Sequence, residues 1–146
     1  MSSSSRITRR SGVAAVETAI AIGACLVVLF ALFEYGRFVM LRHLLDNSAR
    51  EGARLAVANT ESLATSDIQN CVLGCLASQP LTLTSFNVYQ ADPSSGANLG
   101  PWTNAAFGQG IAVDLQASYT PMLPSFGFLP NPVVMHSKVI MLSEAN

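Results

Sequence analysis

Charge is what this sequence has least of. Lys and Arg number 8 and Asp and Glu 9, so 12% of the 146 residues are charged, about half the ~25% of an ordinary soluble domain. Seven of the eight cations stand at or before Arg54, and Lys138 is the one later exception. Such a chain offers no basic surface to a phosphate backbone, which argues against nucleic acid as a partner. Histidine is scarce too, with only His43 and His136. Lone histidines are more often surface or strand residues than bases, and two so far apart leave a zinc site short of ligands. No nucleophile elbow, phosphate loop or paired-carboxylate motif occurs, so an enzyme, a metal and a cofactor are not expected.

What the chain has instead is apolar length in one place. Hydrophobic residues make up 50% and mean hydropathy is +0.38, a composition that fits a membrane protein. From Val13 to Phe33 every residue is apolar or small except Glu17 and Thr18. As a helix rising ~1.5 Å per residue this run spans ~30 Å, about one hydrocarbon core, and so contacts the lipid bilayer. Residues 1 to 10, with Arg6, Arg9 and Arg10, read as a disordered cytoplasmic segment. A secretory signal peptide is the rival reading. Against it, Glu34-Tyr35-Gly36-Arg37 stands where a small-residue cleavage site would lie, and the helical pattern continues beyond. The segment is read as retained.

Within the run, Glu17 lies about one turn from the start, where an ionisable group is costly and marks function. Ala15, Ala19 and Gly23 repeat every four residues, the spacing that lets a second helix backbone approach closely; an alanine-rich segment produces the same spacing by chance. Cys25 reads as a small hydrophobe.

Beyond the run the helix carries on to Ala58, with Phe38, Leu41, Leu45, Ala49, Gly52 and Ala56 on one face. From Val13 it would measure ~70 Å if straight, with Gly36 as the place for a bend. Ser66-Asp67 could cap a short second helix with Ile68, Val72 and Leu76 as its apolar face, ending before Pro80. Leu81–Gln90 is strand-like, but its apolar parity switches near Ser85, which calls for a bulge. Asp92–Gly110 has the glycine and proline content of a long mobile loop, anchored by Trp102 and Phe107. Ile111–Thr120 alternates without error as a half-buried strand, and Val133–Leu142 is the last strand-like run. Between them Pro121–Pro130 is too apolar for an ordinary loop. It either meets a neighbour or the bilayer, or folds back over its own sheet. The fold class expected is α+β: a long N-terminal helix, transmembrane and then amphipathic, followed by a small antiparallel β-sheet head.

Three stretches carry a resemblance. Arg10-Ser11-Gly12-Val13-Ala14-Ala15-Val16-Glu17, then Phe33-Glu34-Tyr35-Gly36-Arg37, then Asn47-Ser48-Ala49-Arg50-Glu51-Gly52-Ala53-Arg54 resemble the TadE-like pseudopilins, or minor pilins, of the tight adherence (Tad or Flp) pilus system. Order and spacing agree through the first 58 residues; the second half is similar more loosely, from Val113 to Pro124 and at Glu144. The resemblance implies a pilin-like fold and cleavage after Gly12 by a prepilin peptidase, which leaves Val13 as the mature N-terminus and Glu17 as the fifth residue. Family pilins keep a carboxylate there. An ammonium on Val13 and a carboxylate one turn along can neutralise each other within a chain or between neighbours, favouring lateral assembly in register; a glutamate snorkelling to the headgroups is the alternative. Glu34, Gly36, Arg37, Arg50, Glu51, Gly52 and Arg54 are the remaining motif positions. Read as residues, Glu34 and Arg37 mark the membrane boundary, and Arg50, Glu51 and Arg54 form a charged helix face.

The organisation expected is therefore a leader over 1–12, a transmembrane and extended amphipathic helix over 13–58, and a small periplasmic α+β head over 59–146. The implied function is a pilus or secretion-apparatus assembly component in the bacterial inner membrane, single-pass with its N-terminus cytoplasmic. Its implied partners are other pilin and pseudopilin subunits, the prepilin peptidase and the inner-membrane assembly platform. A membrane-tethered periplasmic binding or adhesion module, using the loop near Phe126 or Trp102, is the second reading. On the far side of the membrane Cys71 and Cys75 are candidates for a local disulfide, through a distorted turn that Gly74 could permit, or for free thiols.

Overall fold

The computed structural model describes residues 6–60, 62–77, 79–122 and 131–144, with side chains from residue 12 onward. The proline-rich stretch around Phe126 lies outside the described residues. Helix α1 runs over Arg6–Ala58 without interruption. It starts seven residues ahead of Val13: no proline precedes the run, and nothing in Arg6–Arg10 opposes helical geometry. The chain divides into two units, Met1–Arg37 and Phe38–Asn146.

In the first unit, α1 presents its apolar side chains outward. Val13, Val16, Ile20, Val27, Leu32 and Phe33 are all exposed, and the most apolar window of the helix has a mean hydropathy of 2.4 with none of it buried. Among the described residues nothing covers this apolar window, and such a surface is compatible with hydrocarbon, which leaves it without an aqueous cost. By length and composition this one helix can cross a membrane.

The second unit is the head. It contains the C-terminal part of α1, helix α2 (Thr65–Leu76), and strands β1 (Thr82–Ala91), β2 (Asn98–Gly100), β3 (Gly110–Tyr119) and β4 (Val133–Leu142), with a 3₁₀ turn over Trp102–Asn104. The strands form one antiparallel sheet in the order β2-β1-β3-β4. β3, whose alternation is perfect in sequence, is one of the two inner strands and the most buried. The parity switch in β1 is a real register shift between Leu83 and Ser85, so that Leu83 pairs with Ala117 and Phe86 with Leu115 and both face inward. One sheet face packs on helix, with Leu41, Leu45, Ala49 and Ala53 of α1 and Val72 and Leu76 of α2 meeting Val113, Leu115 and Ala117 of β3 and Met135 of β4. The antiparallel α+β architecture expected from sequence is therefore the one observed.

The loop between β1 and β3 is more structured than its composition suggests. Trp102 is only 3% exposed, packed with Ile68, Ile111 and Val57 in a second cluster. Its indole N–H donates to Thr65 Oγ1 at 2.9 Å. The reach back to α2 is a long-range contact, invisible to local composition, and it ties the connection to the head.

Candidate assembly site

At the start of the apolar helix, Gly12, Val13 and Glu17 follow one another along about one and a half turns of α1. Val13 and Val16 flank the carboxylate and are exposed. The neighbouring Thr18 turns its hydroxyl inward, donating to Ala14 O at 2.8 Å, so the segment hides one polar side chain on its own backbone. No such backbone acceptor can serve a carboxylate, and Glu17 remains the one acidic side chain from Gly12 to Phe33. Ala15, Ala19 and Gly23 form an exposed small-residue row, and a Cβ added at Gly23 would meet nothing within 4 Å. The helix thus offers an exposed carboxylate and an exposed low ridge of small side chains.

The second motif differs from its surroundings. Glu34 and Arg37 stand one turn apart with Oε1 and Nη1 at 4.0 Å, and their side chains are only 13% and 21% exposed, whereas Tyr35 between them is exposed. Both charges are largely withdrawn from solvent, which the boundary-marker reading did not anticipate. A Cβ on Gly36 would meet nothing within 4 Å.

The third motif separates into two faces. Arg50 and Arg54 are exposed, and Arg54 Nη2 donates to Glu51 Oε1 at 2.9 Å, a surface pair worth ~0–1 kcal/mol. On the opposite side Ala49, Gly52 and Ala53 are buried. A Cβ on Gly52 would lie 2.8 Å from Val72 Cγ2 and 3.4 Å from Ile68 Cγ2, so α2 seats directly on the helix backbone there. Gly52 is therefore a packing residue. Its spacing from Ala49 and Ala56 could have suggested a close neighbour, but not which one.

On α2, Asp67 accepts a bond from the Ala64 N–H at 3.0 Å, fixing the start of the helix three residues upstream of the carboxylate. Cys71 and Cys75 follow as free thiols. Among the described residues no cluster of three metal-ligating side chains occurs.

The head surface carries polar contacts of local reach. His136 Nε2 lies 2.7 Å from Asp114 Oδ1 across β3 and β4. Lys138 Nζ donates to Gly96 O at 2.7 Å and sits 5.4 Å from the centre of the Tyr89 ring, clasping the β1–β2 turn. In that turn the Asp92 carboxylate accepts from the Ser94 hydroxyl and from the Ser94 and Ser95 backbone N–H groups. Those bonds, the hydroxyl's first, lower its pKa from 3.8 to about 2. The ionised form is the one the folded turn favours, so its support is complete above pH 3.8 and is lost as pH falls through about 2. An NMR pH titration should show the Ser94 amide shifting with a midpoint near 2, and Ser94→Ala should move that midpoint up. A wild-type midpoint near 4 would contradict the turn geometry.

No curated protein and no solved structure matches the chain. Residues 12–54 match the model of the TadE-like protein family, a segment that opens at Gly12 and closes on Arg54, so that it holds Glu17 and the second and third motifs and leaves α2 and the sheet outside. TadE-like pilus components are structural rather than catalytic. Over residues 12–54, then, the long helix is similar to the TadE-like protein family, and the same helix is long and apolar enough to cross a membrane.

Proposed function

We propose that the protein is a minor pilin or pseudopilin of a Tad pilus or a related secretion apparatus. In this reading a prepilin peptidase cuts after Gly12, the apolar helix stays in the inner membrane, the N-terminus before cleavage is cytoplasmic and the head is periplasmic. Activity consists of helix packing: α1 joins a bundle of like helices through Ala15, Ala19 and Gly23, with Glu17 setting the register against a free amine. The assembly platform of the inner membrane would be the machine that presents it to other subunits.

The observation that supports this best is a family match over residues 12–54 whose first turns hold a carboxylate on an otherwise apolar, uncovered helix. A mere tether has no use for that carboxylate, since an ionised group near the hydrocarbon costs ~2–3 kcal/mol. The tethered-binding reading loses one of its two loops, because Trp102 is buried and cannot face a ligand.

N-terminal sequencing of the membrane fraction, from cells with and without the peptidase, tests the proposal. The expected mature chain opens Val-Ala-Ala-Val-Glu and depends on the peptidase; Gly12→Leu should leave the precursor uncut. A chain that keeps its first twelve residues in both strains would refute the processing step.

A further inference from the structure

Cys71 and Cys75 are the two cysteines outside the apolar run, and the assembly reading makes no use of them. They stand one turn apart on α2, while Ile68, Val72 and Leu76 take its buried side. Their environments differ. Cys75 is exposed, and Cys71 is partly covered. Burial first, then the neighbouring Cys75 and Glu51 of α1, push the Cys71 thiol up. Of the pair, Cys75 is the more open to an incoming reagent and Cys71 the more covered.

We propose that Cys71 and Cys75 form a reversible thiol–disulfide exchange site, in which exposed Cys75 attacks and shielded Cys71 resolves. The oxidant is a disulfide, small or carried by a protein. The Cys75 thiolate attacks one sulfur of the donor; the donor S–S bond breaks, a mixed disulfide forms on Cys75, and the first donor sulfur leaves and takes up a proton. Cys71 then gives its proton to water and attacks the Cys75 sulfur, expelling the second donor sulfur as a thiol. Two thiols have become one disulfide and the donor disulfide two thiols, with no other electrons moved. The order follows from access, one of the quantities that set exchange rates.

Geometry makes the bridge reversible. Helix positions four apart hold their Cβ atoms ~5–6 Å from each other, whereas a disulfide needs ~3.5–4.5 Å. Closing the bridge must tighten the last turn of α2, next to Leu76, which is anchored in the core. Gly74 lies between the two with open space where a side chain would be, so nothing there obstructs the movement. A bridge that stores strain is the more reducible for it.

The test uses the full chain in detergent micelles with Cys25→Ala, and oxidised glutathione as the probe. Acid quenching, alkylation and intact-mass measurement then count the thiols. The parent is expected to lose two hydrogens and both alkylation sites, and to regain them with dithiothreitol. Cys71→Ser should accumulate one glutathione adduct, and Cys75→Ser should react at least ~tenfold more slowly. Two thiols still alkylated in the parent, equal rates in the two variants, chains cross-linked through Cys75, or a bridge that resists dithiothreitol would each overturn the proposal. None of these outcomes depends on pilus assembly.

Discussion

Glu17→Ala is expected to leave the protein in the membrane fraction at normal levels while pili disappear. The alanine variant inserts at least as well, since removing an ionisable group from the edge of the hydrocarbon relieves ~2–3 kcal/mol. On the proposed reading, what it loses is the counter-charge for the amine that processing would create on Val13. In a bundle of like helices that amine lies where its own charge is poorly solvated, and an uncompensated buried charge costs several kcal/mol per subunit. Even one such penalty per subunit, repeated along a fibre, outweighs the small gains of helix packing. Glu17→Gln separates charge from shape: it keeps the size and hydrogen-bonding reach of the side chain and should fail almost as completely. Immunoblots of sheared surface material against membrane fractions read both outcomes. Normal pili from Glu17→Ala would hand the case to the tethered-module reading, with the carboxylate merely snorkelling.

The second large effect belongs to Gly52. Alanine there brings a Cβ to 2.8 Å from Val72 Cγ2, and Val72 is fully buried against the sheet and cannot step aside. Overpacking of this kind costs ~1–3 kcal/mol, against a helix-propensity gain of up to ~1 kcal/mol for replacing glycine. Gly52→Ala should therefore lower the stability of the head, and Gly52→Val, whose branches run into Val72 and Val113, should lower it further, toward ~3 kcal/mol or more. Gly74→Ala is the internal control, because the space around Gly74 is open; the same substitution on α2 should stabilise by ~0.5–1 kcal/mol. Denaturant unfolding of the full chain in micelles compares the three. If Gly52→Ala raised the midpoint as Gly74→Ala does, the seating of α2 on α1 would be wrong.

These two positions show how differently sequence speaks of the two units. Glu17 is legible without coordinates, since one carboxylate in a long apolar run is conspicuous by composition alone. The structure adds only that the side chain is exposed. Gly52 is the reverse: in sequence it is a helix-weakening residue inside a motif, and its purpose appears only when α2 is seen resting on it. Strand β3 and the bulge in β1 were readable because side-chain parity is local, as was the apolar face of α2. The role of Trp102 was hidden, because its partner Thr65 is 37 residues away. The three residues of β2 are too few to leave a periodic trace. The shielding of Glu34 and Arg37 likewise has no signature in the letters around them.

Lys138 adds a consequence for how two such heads meet in water. Over Phe38–Asn146 seven acidic residues stand against Arg42, Arg50, Arg54 and Lys138, leaving three negative charges, and the lysine is held by the Gly96 carbonyl and the Tyr89 ring. Heads of like sign repel beyond contact range until salt shortens that reach to ~8 Å at physiological strength. Under the proposed assembly, long-range attraction between heads therefore does not gather the subunits, and concentration in the plane of the bilayer would have to do so.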